Sequence, residues 1–367
     1  MRKIRVLIVE DSTVIRELLE HIVGHDPRLE IAASVGSAEE ALRILERVSP
    51  DVISMDIRLP GMNGLEATRR IMAERPTPIV VVSASVESED LQITMNALQA
   101  GALAVLEKPA GTTSGEYESL AQRFGTQLAI MSEVKLVRRR VALRHVPRTR
   151  AIHTYVPHGN AAQANRLERQ VIPRPGGYRM IGIVCSTGGP SALVELLGGL
   201  GTGFPLPIAL VQHITSSFLG GFASWLESVS PFSVMIVTDR VTPVPGRIYL
   251  AAPDRHLRLE YGTLLVDGGD PVCGQRPSGT VLFESMATDL GAAALGVLLT
   301  GMGDDGAEGL LQIRNFGGHT IAEHESTAVV YGMPGEAVRL GAVCESLPLP
   351  AVAPRILDLT LSMQEVA

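Results

Sequence analysis

Three reactive side-chain types stand directly after three apolar runs in the second half of this 367-residue chain. Met180-Ile181-Gly182-Ile183-Val184 leads into Cys185-Ser186-Thr187-Gly188-Gly189-Pro190, and Ile208–Gln212 is followed by His213. Ala294–Thr300 leads into Gly301-Met302-Gly303-Asp304-Asp305-Gly306. A serine hydroxyl is a poor nucleophile until a base takes its proton; an imidazole suits that work near neutral pH, and a carboxylate fixes the imidazole's tautomer. A strand that breaks at Ser-Thr-Gly-Gly into a helical pattern, Ala192–Leu197, also lets backbone approach a substrate and puts a helix N-terminus beside developing negative charge. Each residue alone has a plainer reading. The Ser186 turn equally fits a phosphate-binding or merely connecting loop, His213 a strand-end histidine, and Asp304 or Asp305 a helix cap. Jointly, Ser186, His213 and Asp305 point to a serine hydrolase. Their order, and Val184 in place of the first glycine of G-x-S-x-G, exclude the α/β-hydrolase superfamily.

A second set lies in the first half. Glu10 and Asp11 follow the run Arg5–Val9, Asp56 follows Val52–Met55, Ser83 closes Ile79–Ser83, and Lys108 follows Ala104–Leu106. Three carboxylates converging on one point repel each other unless a hard cation joins them, and Mg²⁺ takes one or two carboxylates plus water and phosphate oxygens. Asp56 would then accept a phosphoryl group whose oxygens the metal, Lys108 and the Ser83 hydroxyl neutralise or bond. Acidic caps and turns are the plainer alternative.

These residues act together only if the backbone brings their strand ends to one edge. Residues 1–122 alternate strand and helix through five units, which predicts a doubly wound parallel sheet with function at the carboxyl ends. From 179 the alternation resumes: strands at Ser233–Val237 and Arg247–Ala251, a hairpin at Leu257–Glu260 and Thr263–Val266, and helices at Phe218–Leu226, Val281–Leu290 and Ala307–Arg314. Apolar residues at 46% with aromatics at only 4% suit such layers packed with small and branched side chains. The length allows two domains, each with its own core. A net charge of −7 argues for a soluble protein and against general nucleic-acid binding. Met1-Arg2-Lys3 runs straight into a strand pattern rather than a signal peptide, and no apolar run approaches the roughly 20 residues that span a bilayer. Cys185, Cys273 and Cys344 have no metal-ligand spacing and fit reduced thiols, so a cytoplasmic location is expected.

Residues 123–178 read as a linker between domains at 1–122 and 179–364. Leu120, Phe124, Leu128 and Met131 predict a helix from Glu116 to about Arg144, after which prolines interrupt regular structure. Between 135 and 179, eleven cations face one carboxylate, Glu168. A solvated tether between acidic domains accounts for this; contact with an acidic partner, an anionic membrane face or nucleic acid is the sharper reading. Interleaved aromatics and a reading helix are missing, so no specific nucleic acid is expected.

The first half resembles a response-regulator receiver domain over the whole unit, including Asp56-Ile57-Arg58-Leu59-Pro60-Gly61-Met62-Asn63-Gly64. The second half resembles the catalytic domain of the chemotaxis protein-glutamate methylesterases. The matches are Cys185–Pro190, Gln212-His213, Ala252-Pro253-Asp254-Arg255-His256-Leu257, Arg276-Pro277-Ser278, Leu299–Gly306 and Val329–Pro334. The resemblances imply an α/β chain of two doubly wound parallel-sheet domains, a flavodoxin-like receiver and then a Rossmann-like methylesterase domain. They imply phosphorylation of Asp56 by the histidine kinase of a chemosensory array, Mg²⁺ at Glu10, Asp11 and Asp56, and Ser83 and Lys108 as switch residues. Ser186 becomes the nucleophile, His213 the base and Asp305 its orienter, with the Met302 backbone N–H and Thr187 holding the oxyanion and no cofactor for the ester chemistry. The implied substrates are methyl-esterified glutamates, and glutamines to be deamidated, on chemoreceptor cytoplasmic domains. The unphosphorylated receiver is expected to cover the catalytic entrance. Some positions depart from the pattern: Val105 replaces a frequent aromatic, Arg58 sits at the mouth of the phosphorylation site, and Gly279-Thr280 replaces a common valine-aspartate pair. His256 is a further candidate for the substrate mouth. A phosphorylation-dependent scaffold with a vestigial hydrolase is the competing reading, against which the intact Ser186, His213 and Asp305 argue.

Overall fold

The computed structural model describes residues 2–83, 88–108, 114–134 and 177–361. In the first domain five parallel strands, β1 (Ile4–Val9), β2 (Leu29–Val35), β3 (Val52–Asp56), β4 (Ile79–Ser83) and β5 (Ala104–Glu107), lie in the order β2-β1-β3-β4-β5. Helices α1 (Thr13–His25), α2 (Ala38–Val48), α3 (Gly64–Glu74), α4 (Ser88–Gln99) and α5 (Ser114–Ser132) flank it. β3 and β4 are buried at every residue, which explains why they read as apolar runs rather than alternations. Side-chain oxygens of Ser12, Ser37 and Asn63 cap α1, α2 and α3 and stop each strand-to-helix turn at a defined residue. The strand order reverses between β1 and β3, so their carboxyl ends open a crevice there.

Helix α5 differs from expectation. It starts at Ser114, runs past residue 122 and stops at Ser132 rather than near Arg144. Phe124, Leu128 and Met131 are buried against β1, β3 and β4 residues, so the part of the helix beyond residue 122 packs with the first sheet. Residues 135–176, which carry most of the basic linker, lie outside the described residues, as do 362–364.

The second domain is built on a seven-stranded parallel sheet ordered β15-β14-β13-β6-β7-β10-β8. Its strands and helices are β6 (Met180–Cys185), α6 (Gly189–Leu200), β7 (Ile208–Gln212), α7 (Ser216–Val229), β8 (Ser233–Val237), β9 (Arg240–Val241), β10 (Arg247–Ala251), β11 (His256–Glu260), β12 (Thr263–Asp267), α8 (Gly279–Leu290), β13 (Ala294–Leu298), α9 (Ala307–Asn315), β14 (His319–Glu323), α10 (Met333–Arg339), β15 (Glu345–Leu347) and α11 (Leu349–Leu361). β9, β11 and β12 form a small antiparallel sheet, and β11 lies along α8, where Ser285 Oγ accepts the Leu259 N–H at 3.0 Å. The expected strand 294–300 ends at Leu298, and Leu299 and Thr300 begin the loop. β14 and β15 extend the sheet beyond the strands expected; His319 and Glu323 close β14 with polar residues that mask its short apolar centre.

One apolar core joins the domains. Met95, Ala97 and Leu98 of α4 are continuous with Leu193 and Leu196 of α6 and Phe218, Phe222 and Trp225 of α7. Polar bonds pin the joint: Trp225 Nε1 donates to Asn96 Oδ1 at 3.3 Å, and the Ser217 hydroxyl to Glu107 Oε2 at 3.3 Å. Val105 packs against this shared core. α6 and α7 are the helices that follow Ser186 and His213, so the receiver rests on the elements that begin at the candidate catalytic loops.

Candidate active site

β13, β6 and β7 are adjacent strands, so the loops carrying Asp305, Ser186 and His213 leave one sheet edge side by side. Backbone bonds lock them together: the Ser186 N–H donates to Thr300 O at 3.0 Å, and the His213 N–H to Cys185 O at 3.0 Å. Buried Gln212 donates through Nε2 to the carbonyls of both Ser186 and His213 at 3.0 Å. Its bridging role was missed at the sequence level, although an amide ending an apolar strand was a signal.

His213 Nε2 meets Asp305 Oδ2 at 2.8 Å, with the two side chains only 8% and 3% exposed. Among the described residues, the other ring nitrogen, Nδ1, and the Ser186 hydroxyl have no hydrogen-bond partner, which leaves both available for chemistry. Asp304 is exposed and stands apart from this pair. The Asp305 carboxylate is cradled by the first turn of α8: it accepts from Ser278 Oγ at 2.6 Å, Gly279 N at 2.6 Å and Thr280 N at 3.1 Å. Burial pushes the Asp305 carboxyl up, but His213 and these donors outweigh it and hold the group below its ordinary value. A helix N-terminus aimed at a carboxylate adds to that effect.

Gly279 and Thr280 therefore do not face a substrate. Gly279 is pressed on Val184, where an added Cβ would overlap the valine methyls, and the Thr280 hydroxyl accepts the Gly306 N–H at 2.8 Å. His256, a candidate for the substrate mouth that the sequence does not favour, is buried behind Ser278. The sequence alone gave no sign of either arrangement, because both depend on α8 meeting the end of β13.

The backbone N–H groups of Thr187 and Met302 are engaged by no hydrogen bond among the described residues, and Met302 is 37% exposed. Thr300 ties their loops: its hydroxyl donates to Thr187 O and accepts the Val330 N–H, both at 2.9 Å, while its own N–H reaches buried Glu323 Oε2 at 2.9 Å. A cleft beside His213 is lined by Gln212, Ile214, Leu219, Ala252, Arg276 and Pro277.

In the first domain, Glu10, Asp11 and Asp56 bring carboxylate oxygens within 4.8 Å of one another. Lys108 Nζ lies 2.9 Å from both Glu10 and Asp56 oxygens, and buried Ser83 accepts from Thr94 Oγ1 at 3.3 Å. Burial raises the Asp56 and Glu10 carboxyls above their ordinary values against the pull of Lys108. Hard oxygen donors, two buried and one exposed, fit a divalent cation that keeps water or phosphate on its open side. Arg58 is exposed, and its backbone N–H donates to Asp56 Oδ1 at 3.1 Å.

Residues 181–356 match the family described as CheB methylesterase, and residues 6–115 match the response regulator receiver domain. A protein-glutamate methylesterase/protein-glutamine glutaminase of Paramagnetospirillum magneticum is 55% identical over 98% of both chains. The chain belongs to the CheB methylesterase family. A Myxococcus xanthus enzyme of the same name is 42% identical over 96% of both chains. Among solved structures, the Thermotoga maritima CheB methylesterase catalytic domain is 32% identical, covering 50% of this chain and 99% of that one, with a TM-score of 0.48. Membership accounts for the pairing of a receiver with a hydrolase domain.

Proposed function

We propose that this chain is a phosphorylation-controlled protein-glutamate methylesterase that also deamidates glutamines, and that its substrates lie on chemoreceptor cytoplasmic domains. The observation that carries the reading is the His213–Asp305 pair at 2.8 Å, held on the sheet edge beside Ser186. Ser186 Oγ gives its proton to the imidazole and bonds to the ester carbonyl carbon. The tetrahedral oxyanion is held by the N–H groups of Met302 and Thr187. The imidazolium returns the proton to the departing methoxide, methanol leaves, and an acyl-enzyme remains. Water, deprotonated by the same imidazole, then releases the carboxylate and restores Ser186. A glutamine amide follows the same path, with ammonia leaving. Asp305, kept ionised by its four donors, holds the ring and stabilises its positive form.

Control enters through Asp56, phosphorylated by a histidine kinase of the chemosensory array. Glu10, Asp11 and Asp56 would hold the cation, taken here as Mg²⁺, which when bound neutralises phosphoryl oxygens. Lys108 is poised to pair with one phosphoryl oxygen, and the Ser83 hydroxyl to bond another. Unphosphorylated, the receiver restrains the catalytic loops. Val329 packs against the receiver's apolar cluster and lies beside Gly188, two residues from Ser186. No described helix is long and apolar enough to cross a membrane, and we place the enzyme in the cytoplasm. Methanol release from radiomethylated receptor membranes, with and without a small phosphodonor, tests the whole reading. Ser186→Ala should abolish release and Asp56→Asn should abolish the phosphodonor response; an active Ser186→Ala refutes the esterase mechanism.

A further inference from the structure

His256 opens β11 and is 2% exposed, yet the ester chemistry does not touch it. Both ring nitrogens have fixed partners. Nδ1 accepts the Ser278 backbone N–H at 3.2 Å, and Nε2 faces the Asp270 carbonyl at 3.0 Å. A donor on one side and an acceptor on the other select the neutral tautomer that carries its proton on Nε2. Ser278 passes the constraint on. Its hydroxyl donates to Asp305 Oδ1 at 2.6 Å, while Asp305 Oδ2 meets His213 at 2.8 Å.

We propose that His256 is a positioning residue for the triad, fixing through Ser278 the angle at which Asp305 presents its carboxylate to His213. The inference rests on the triad reading above. Three of the four donors on Asp305 come from the consecutive residues Ser278, Gly279 and Thr280, so that turn moves the carboxylate as a unit. Ser278 caps α8, and its own N–H lies outside the helical ladder. It is fully buried, and His256 is the acceptor that satisfies it. Without that acceptor the turn must shift until the N–H finds another, and Asp305 shifts with it.

The test uses the full chain with phosphodonor and radiomethylated receptor membranes. His256→Phe keeps the ring volume and loses the acceptor; kcat should fall on the order of 10²-fold with KM nearly unchanged, as for a slight misplacement of a catalytic group. Labelling of Ser186 by a fluorophosphonate should slow in parallel. His256→Asn places an amide oxygen near the Nδ1 position and should recover most of kcat. His256→Gln places its amide near Nε2, keeps the Asp270 contact and should not. The Asn–Gln contrast, taken between variants of equal melting temperature, serves if the Phe variant does not fold. Wild-type kcat in His256→Phe, or equal losses in Asn and Gln, overturns the inference. A dead Ser186→Ala beside such results leaves the triad standing, whereas an active Ser186→Ala overturns both.

Discussion

The Ser191 hydroxyl donates to the Leu98 carbonyl at 2.9 Å, from the helix that follows the proposed nucleophile to the helix that follows the proposed switch serine. Around it, α4 packs on α6 and α7 through the shared apolar core. A phosphoryl group that moves α4 therefore pulls on the first turn of α6, close to Ser186.

Ser191→Glu would put a carboxylate against that carbonyl in a half-buried joint. Separating the domains in this way should raise methanol release in the absence of phosphodonor and leave the fully stimulated rate near wild type. The comparison needs only both rates on receptor membranes; an unstimulated rate no higher than wild type would show that this contact does not restrain the enzyme.

Asp305→Asn keeps the shape of the cradle but offers one oxygen where Ser278, Gly279, Thr280 and His213 now meet two. The imidazole then loses its anionic partner. kcat should drop by roughly 10³–10⁴-fold, with KM little affected. Steady-state kinetics on the full chain check it, and a loss under tenfold would argue against Asp305 as the orienter.

Gly301 passes so close to Ser186 that an added Cβ would lie 2.8 Å from Ser186 Cβ, and closer still to the Met333 sulfur. Gly301→Ala should displace the nucleophile loop, costing on the order of 10²-fold in kcat. Overpacking of this kind should also destabilise the domain by about 1–3 kcal/mol. Thermal denaturation and fluorophosphonate labelling measure the two effects separately.

Glu345 accepts from Arg355 at the sheet edge and lies 2.8 Å from His319 Nε2, and these neighbours hold its carboxyl down to about 2. A folded value below the unfolded one stabilises the protein above the ordinary glutamate range, and the contribution is lost as pH falls from there towards 2. The Tm advantage of wild type over Glu345→Gln should therefore shrink between about pH 5 and pH 3. A pH-independent difference would mean that the ion pairs contribute little.

Much of this site could be read directly from residue order. Strands β4, β7, β8 and β10 fall where apolar runs placed them; β4 and β7 are buried at every residue, and a strand buried on both faces must be largely apolar, whereas β8 lies at the sheet edge and is only partly covered. Polar residues that end such runs in a parallel sheet share one edge, which is why Glu10, Asp56 and Lys108, and separately His213 and Asp305, meet across long stretches of chain. The helix ending at Ser132 was harder, since the helical period of 120–131 carries no stop signal before the basic run.

The sequence by itself determined which residues stand at strand ends, and so which chemistry each edge can support. Only the tertiary structure decided what surrounds them. That the turn of α8 cradles Asp305, that His256 lies behind that turn, and that Asn96 accepts from Trp225 all depend on which helix packs against which loop. Periodicity tells which face of an element is apolar; it does not tell which other apolar face will cover it, and every one of these contacts is made where two such faces meet.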